Sequence, residues 1–451
     1  MIRADILAAE IGSTITKLSA FSGPLPGKLE FLCQSTALTT VKQGDVSLGL
    51  AEARKRLDAE YGIDTTDAEL IASASAAGGL RMSVHGLTRD MTLRAAREAS
   101  LGAGANLVCS TAGLISPEQV KEIKASSPNL VLLAGGVDFG DKETVTQNAH
   151  VLASAGLNVP VIYAGNRSAA SLVAGLFERQ GIPIRIVDNV YPRIDELNIQ
   201  PVREVIHDVF SRHIVTAPGM ERIREMVSGE IIPTPGAVLR ASELLYRELE
   251  DLLTVDVGGA TTDIHSVTEG GGDNSRMRMA PEPLSKRTVE GDLGIYYNVE
   301  KIIEASGGAL GDSYAPEAIP IDGEQRKKAL QLSQWAVNLA LWRHAGEIRS
   351  TYGSYRWNEV ILGRDLTAVK AIVGTGGALT RLDGGMDILC SLWPDPKKKR
   401  LLPGTRARVF LDSHYIMAAA GLLAKSYPDR ALDILRKSLG YSRNSAGRGE
   451  H

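Results

Sequence analysis

Cysteine is scarce in this 451-residue chain: Cys33, Cys109 and Cys390 are odd in number, far apart and set among apolar neighbours. That is the usage of buried thiols in a reducing compartment, with no disulfide framework. No C-x-x-C and no H-x-x-x-H pair occurs, which argues against a structural zinc site. Charge of one sign is missing as well. A net charge of −3 leaves no basic field to attract nucleic acid. Apolar runs are too short or too interrupted to span a bilayer. The opening residues Met1-Ile-Arg-Ala-Asp-Ile6 carry an acid and run straight into a strand, unlike a signal peptide. A cytoplasmic protein without nucleic-acid or membrane partners is expected, long enough for two or three domains with full cores.

What the chain does contain is one short unit, twice. Leu253-Thr-Val-Asp-Val-Gly-Gly-Ala-Thr-Thr-Asp-Ile264 alternates apolar residues at strand period, ends the strand on an acid, turns on Gly258-Gly259 and resumes as a second strand. Such a β-hairpin has an anion-sized tip. Glu10-Ile-Gly-Ser-Thr-Ile-Thr-Lys-Leu18 lies over Asp256 to Ile264 residue for residue. Two copies far apart in sequence suggest a duplicated domain whose halves face each other across a nucleotide triphosphate; two unrelated tight hairpins are the alternative.

Along the chain, Asp5 to Ala9, Thr16 to Phe21 and Leu29 to Leu38 read as a meander, followed by a helix over Asp45 to Tyr61. From Glu69 to Asp188 buried strands, glycine turns and helices alternate, as in a sheet covered on both faces. In that region Gly135-Gly136 with Asp138 reads equally as a ligand turn or as a plain strand-to-helix turn. Ile231-Ile-Pro-Thr-Pro-Gly-Ala-Val238 is expected as a connector, because its prolines cannot continue a helix. Thr288-Val-Glu-Gly-Asp-Leu-Gly294 either lines a cleft or caps a helix through Asp292. Trp335 and Trp342, seven apart on an amphipathic helix from Gln331 to Ile348, are expected in the core. Ala371-Ile-Val-Gly-Thr-Gly-Gly-Ala378 is a third glycine turn after a strand, and Ser442 to His451 reads as a disordered tail.

The order of these motifs resembles the nucleotide-binding set of the actin, sugar-kinase and heat-shock-chaperone superfamily. Within it, Ser75-Ala-Ala-Gly-Gly-Leu-Arg-Met82, Leu133-Ala-Gly-Gly-Val-Asp138, Val161-Ile-Tyr-Ala-Gly-Asn166, Arg287-Thr-Val-Glu-Gly-Asp-Leu-Gly294 and Leu411-Asp-Ser-His-Tyr-Ile-Met417 resemble the MutL/GlmL accessory proteins of adenosylcobalamin-dependent glutamate mutase. The resemblance implies an α/β, actin-like ATPase fold with duplicated RNase H-like sheets. The halves would be 1–250, carrying an extra α/β region at about 69–190, and 251–440, before a tail at 441–451. Thr234 to Ala237 and Ala418 to Gly421 would be the two connectors. Glu10 stands where the superfamily has aspartate, and Phe139 follows Asp138 where glycine is expected.

The resemblance also implies the ligands and the roles. ATP with Mg2+ would bind between the halves, Gly12, Ser13, Thr14 and Lys17 approaching the phosphates from one side and Gly258, Gly259, Thr261 and Thr262 from the other. Asp256, with Glu10, would hold the metal through water, Asp263 would orient the attacking water, and Gly374, Gly376 and Gly377 would give adenosine access to backbone. The implied function is an ATP-dependent reactivating chaperone for an adenosylcobalamin-dependent mutase, a slow ATPase whose oligomeric state is left open. Two rivals stand beside it: a small-molecule kinase of the same fold, and a nucleotide-binding scaffold without hydrolysis.

Overall fold

The computed structural model describes residues 2–23, 27–40, 43–75, 80–213, 219–307, 316–317, 320, 322–353 and 356–442. The tail expected beyond Ser442, the Gly78-Gly79 turn and most of the turn at 23–27 lie outside them. Strands β1 (Ile2–Arg3), β2 (Ile6–Ile11), β3 (Ile15–Ser22) and β4 (Glu30–Leu38) lead to helix α1 (Ser47–Tyr61), β5 (Ile63–Asp64) and β6 (Glu69–Ala74). Alternation along β2 explains its place. Leu7, Ala9 and Ile11 enter one core and Ile6 and Ala8 another, so the strand is buried on both faces.

The extra α/β region follows: β7 (Arg81–Gly86), α2 (Arg94–Gly102), β8 (Asn106–Ala112), α3 (Pro117–Ala125), β9 (Leu130–Leu133), α4 (Glu143–Ala153), β10 (Val161–Tyr163), α5 (Ala170–Glu178) and β11 (Ile184–Ile186). Its strands are all parallel, in the order β11-β10-β9-β7-β8. The Gly135-Gly136 turn is a closed one: Asn166 donates to the carbonyls of Gly140 and Asp141 and Asn189 to that of Gly136. Phe139, where glycine was expected, has φ 62°, a conformation glycine adopts without steric cost.

Helices α6 (Gln200–His213) and α7 (Met220–Met226), strand β12 (Ile232–Pro233) and helix α8 (Thr234–Leu249) complete the first half. Here the structure corrects the expected connector. Pro235 does not interrupt a helix but lies in the first turn of α8, where its missing N–H costs no hydrogen bond. The second half runs β13 (Leu252–Val257), β14 (Thr262–Val267), β15 (Ser285–Glu290), α9 (Val299–Ala305), α10 (Gly323–His344), the hairpin β16 (Glu347–Gly353) and β17 (Arg356–Leu362), β18 (Ala371–Thr375), α11 (Gly377–Thr380), α12 (Gly385–Cys390), β19 (Arg408–Leu411), α13 (Met417–Leu423) and α14 (Pro428–Leu439).

Two five-stranded sheets, β4-β3-β2-β6-β12 and β15-β14-β13-β18-β19, share one topology: two antiparallel pairings, then two parallel ones. This is the duplicated arrangement of the actin-like ATPase fold. Between the sheets, α8 crosses α13 in a shared core with Ile6, Phe21, Leu252 and Val373. A methyl group on Gly421 would overlap the Ala237 carbonyl oxygen, so the crossing is as close as two backbones permit.

Three further expectations change. Trp335 is half-buried against the core of the second half and edge-on to Trp393, as expected, whereas Trp342 lies under the Arg400 guanidinium; the helix that carries them ends at His344, before Ile348. Cys33 and Cys109 are only half-buried and Cys390 is exposed. Asp292 does not cap a helix; it pairs with Arg343, and Asn298 precedes α9. Among the described residues no helix is long and apolar enough to cross a membrane.

Candidate functional site

The two hairpin tips are closed by the same hydrogen bond: Gly12 N–H donates to Ile15 O at 3.0 Å, and Gly258 N–H to Thr261 O at 2.9 Å. These glycines therefore shape the turns. The N–H groups of Ser13 and Thr14 on one tip, and of Gly259 and Ala260 on the other, have no partner among the described residues. The tips meet. A methyl on Gly259 would lie 3.0 Å from Thr14 Oγ1, and the Tyr297 hydroxyl donates to Ser13 O at 3.4 Å.

Both tips open onto one cleft of about 990 Å³. Glu10, Gly12, Ser13, Thr14, Lys17, Asp256, Gly258, Gly259, Thr261, Asp263 and Gly377 all line it. Thr262, Gly374 and Gly376 do not. The Thr262 hydroxyl donates to Leu293 O in the turn that follows β15. Gly374 leaves room for the side chains of Leu389 and Leu411, and Gly376, at φ 88°, allows the third loop to pass against the Val257 carbonyl and Asp256 Oδ1. Both shape the fold around the cleft and do not face it.

Strand pairing explains the electrostatics. Glu10 is registered opposite Lys17 on β3, and Asp256 opposite Asp263 on β14. Lys17 Nζ lies 2.6 Å from Glu10 Oε1, yet that oxygen receives no aligned hydrogen bond. Burial pushes the Glu10 carboxyl up and the Lys17 ammonium down, each opposed by the other's charge. Asp256 has no hydrogen bond or ion pair among the described residues. Burial, then the neighbouring Asp263 and Glu10 carboxylates, push its pKa up to about 7.

Asp263 is fully engaged: Arg287 Nη2 and Nε donate to its Oδ1 at 2.7 and 3.0 Å, and Thr261 Oγ1 donates to Oδ2 at 2.9 Å. Arg287 also reaches Leu101 O on α2 at 3.1 Å. It thereby ties the second hairpin to the extra α/β region, whose Arg97, Leu101 and Asn106 form part of the cleft wall. More ion pairs fix that region on β15 and just before it, among them Glu98 with Lys286 and Arg94 with Glu282. Arg287 was visible in a motif, but nothing local in sequence announces its partners; Tyr415, which also lines the cleft, was likewise only part of a motif.

No group of three or more His, Cys, Asp or Glu side chains able to hold a metal occurs among the described residues. A magnesium ion asks for less, one or two carboxylates with water and phosphate oxygens completing its shell. The unpartnered Asp256 carboxylate and the unaligned Glu10 Oε1 fit that donor set.

The family model described as "MutL protein" matches residues 6–439, spanning both hairpins, the extra region and the third glycine turn. The chain belongs to the MutL protein family. Protein MutL of Clostridium tetanomorphum is 34% identical over 459 aligned residues, covering 96% of this chain and 98% of that one. Among solved structures, the chain is similar to a diol dehydratase-reactivating factor in nucleotide-free form (12% identity, 94% of this chain, 99% of that chain, TM-score 0.33). It is also similar to a glycerol dehydratase reactivase (10% identity, 93% and 99% coverage, TM-score 0.33). The family match takes in Glu10, so the glutamate at the first hairpin belongs to a chain that follows the family along nearly its whole length.

Proposed function

We propose that the protein binds MgATP in this cleft, between a first half at 1–250 and a second at 251–440, and acts as a reactivating accessory protein for an adenosylcobalamin-dependent mutase such as glutamate mutase. One observation carries the nucleotide reading: two hairpins of equal register, whose tip N–H groups have no partner among the described residues, line one cleft together with the unpaired Asp256 carboxylate and a Glu10 oxygen that receives no aligned hydrogen bond. Backbone N–H groups so arranged form an anion cradle, as at other phosphate sites. Asp256 and Glu10 would hold the magnesium ion, which neutralises phosphate charge when bound. Ser13, Thr14, Gly259 and Ala260 orient the phosphates from two sides, so a ligand that needs both tips favours their approach. Membership of the MutL family supports the accessory role. The test is reactivation: a mutase inactivated with hydroxocobalamin should regain activity on addition of this protein, fresh adenosylcobalamin and MgATP, and not without the nucleotide. Activity that returns equally without nucleotide counts against the reading.

A second reading, nucleotide binding without turnover, is favoured by Asp263. Both its oxygens are engaged, so no free carboxylate remains on β14 to orient a water. Single-turnover phosphate release separates the two.

A further inference from the structure

Lys17 is held on three sides before any ligand could reach it. Its ammonium donates to the Tyr415 carbonyl at 2.7 Å, lies 2.6 Å from Glu10 Oε1, and turns its remaining face to the Tyr415 ring, 3.1 Å from the centroid. The ammonium is thus enclosed by one hydrogen bond, one ion pair and one aromatic face. Two of those partners belong to one residue, from the other end of the chain.

Tyr415 is held there by construction. It has φ 53°, a left-handed conformation uncommon for a residue with a bulky side chain. Asp412, fully buried, sets it: Asp412 O accepts from Tyr415 N at 2.8 Å, Oδ1 from Ile416 N and the Ser438 hydroxyl, and Oδ2 from Met417 N and the Thr375 hydroxyl. The Asp412 carbonyl thus holds Tyr415 while its carboxylate tethers the next two residues and with them the start of α13, the helix that crosses α8. Gln34 Nε2 adds a donor to the Tyr415 carbonyl at 3.2 Å. A strained residue so over-determined, and aimed into a cleft, is a reason to look for a function.

We propose that Tyr415 is a positioning residue that gates Lys17. Its ring and carbonyl hold the ammonium against Glu10; a terminal phosphate takes the lysine only by displacing the ring, and the displacement passes through the Asp412 turn to α13. This rests on the nucleotide reading above. Because the held state competes with the ligand, it lowers apparent affinity for any nucleotide that needs Lys17.

The experiment compares the wild type with Tyr415→Leu and Tyr415→Phe, titrated with a non-hydrolysable ATP analogue and with ADP, each with Mg2+, by calorimetry. Amide hydrogen exchange across α13 is followed with and without the analogue. Tyr415→Leu should bind the analogue about three- to tenfold more tightly, with a smaller change for ADP, since a cation–π contact has been removed from the free state. Tyr415→Phe keeps the aromatic face and should return wild-type affinity. Exchange in α13 should respond to the analogue in the wild type and not in Tyr415→Leu. Unchanged or weaker binding by folded Tyr415→Leu, or a phenylalanine variant that behaves like leucine, overturns the gate. If Tyr415→Leu does not fold, Tyr415→Met carries the same comparison. A wild type that binds neither nucleotide sinks the nucleotide reading, whereas a wild type that binds beside a leucine variant no tighter sinks the gate alone.

Discussion

Glu10 and Asp256 hold the same place in two copies of one hairpin, but Glu10 faces a lysine across its ladder and Asp256 faces another aspartate. The same backbone therefore carries a compensated carboxylate on one side of the cleft and an uncompensated one on the other. The uncompensated acid is the better candidate for a cation, since nothing in the fold has already neutralised it.

Asp256→Asn should accordingly separate stability from binding. Removing a half-buried carboxylate that repels Asp263 and Glu10 should leave the melting temperature equal or higher. Magnesium-dependent nucleotide affinity should fall by about tenfold or more, roughly 1.4 kcal/mol. Calorimetry with and without Mg2+, beside thermal unfolding, checks both halves; a variant that loses stability and keeps affinity contradicts the assignment.

Arg287 offers the opposite balance. Its guanidinium and the Asp263 carboxylate are both almost wholly buried. Arg287→Met leaves that carboxylate unpaired and should cost about 3–5 kcal/mol in denaturant unfolding. Adding Asp263→Asn should recover part of the loss. No recovery in the double variant would assign the cost to the lost contact with Leu101 O and not to the stranded charge.

How much of this was legible in the sequence follows from how local each feature is. The hairpins were, because the strand period, the acid and the glycine turn lie within ten residues and recur at Glu10 and Asp256. Thr234 to Ala237 and Ala418 to Gly421 are legible as connectors through the family resemblance, but their close approach is not, and Pro235 reads in sequence as a break where it is a helix start. Thr262, Gly374 and Gly376 sit within the right motifs but point into the fold, and a motif does not encode which side of a strand faces a cleft built from two sheets. Arg287 with Leu101 O, and Lys17 with Tyr415, are contacts across 186 and 398 residues. No local pattern specifies them.

Acid should unfold the protein through its buried imidazoles. His207, between the Ala103 carbonyl and the Arg240 guanidinium, has its pKa lowered to about 3, by burial first and by Arg240 second. The unfolded chain protonates this imidazole below about pH 6.5 and the folded one does not, so stability is lost as pH falls from 6.5 toward 3. Between pH 7 and pH 5 the loss from His207 alone is about 2 kcal/mol. Asp256, raised to about 7, opposes it, because there the folded state holds the extra proton. His207→Gln should therefore lose less stability than the wild type over that interval, by about 2 kcal/mol in denaturant unfolding. Parallel pH profiles for the two proteins would contradict the assignment.

The most direct test of the account is a titration of the purified protein with ATP, followed by calorimetry with Mg2+ present and then with the metal chelated. A nucleotide held between both hairpin tips, with Asp256 and Glu10 at the metal, should bind at one site per chain and lose at least about tenfold in affinity without Mg2+. Absence of saturable binding at millimolar ATP, or binding indifferent to both Mg2+ and Asp256→Asn, would contradict it.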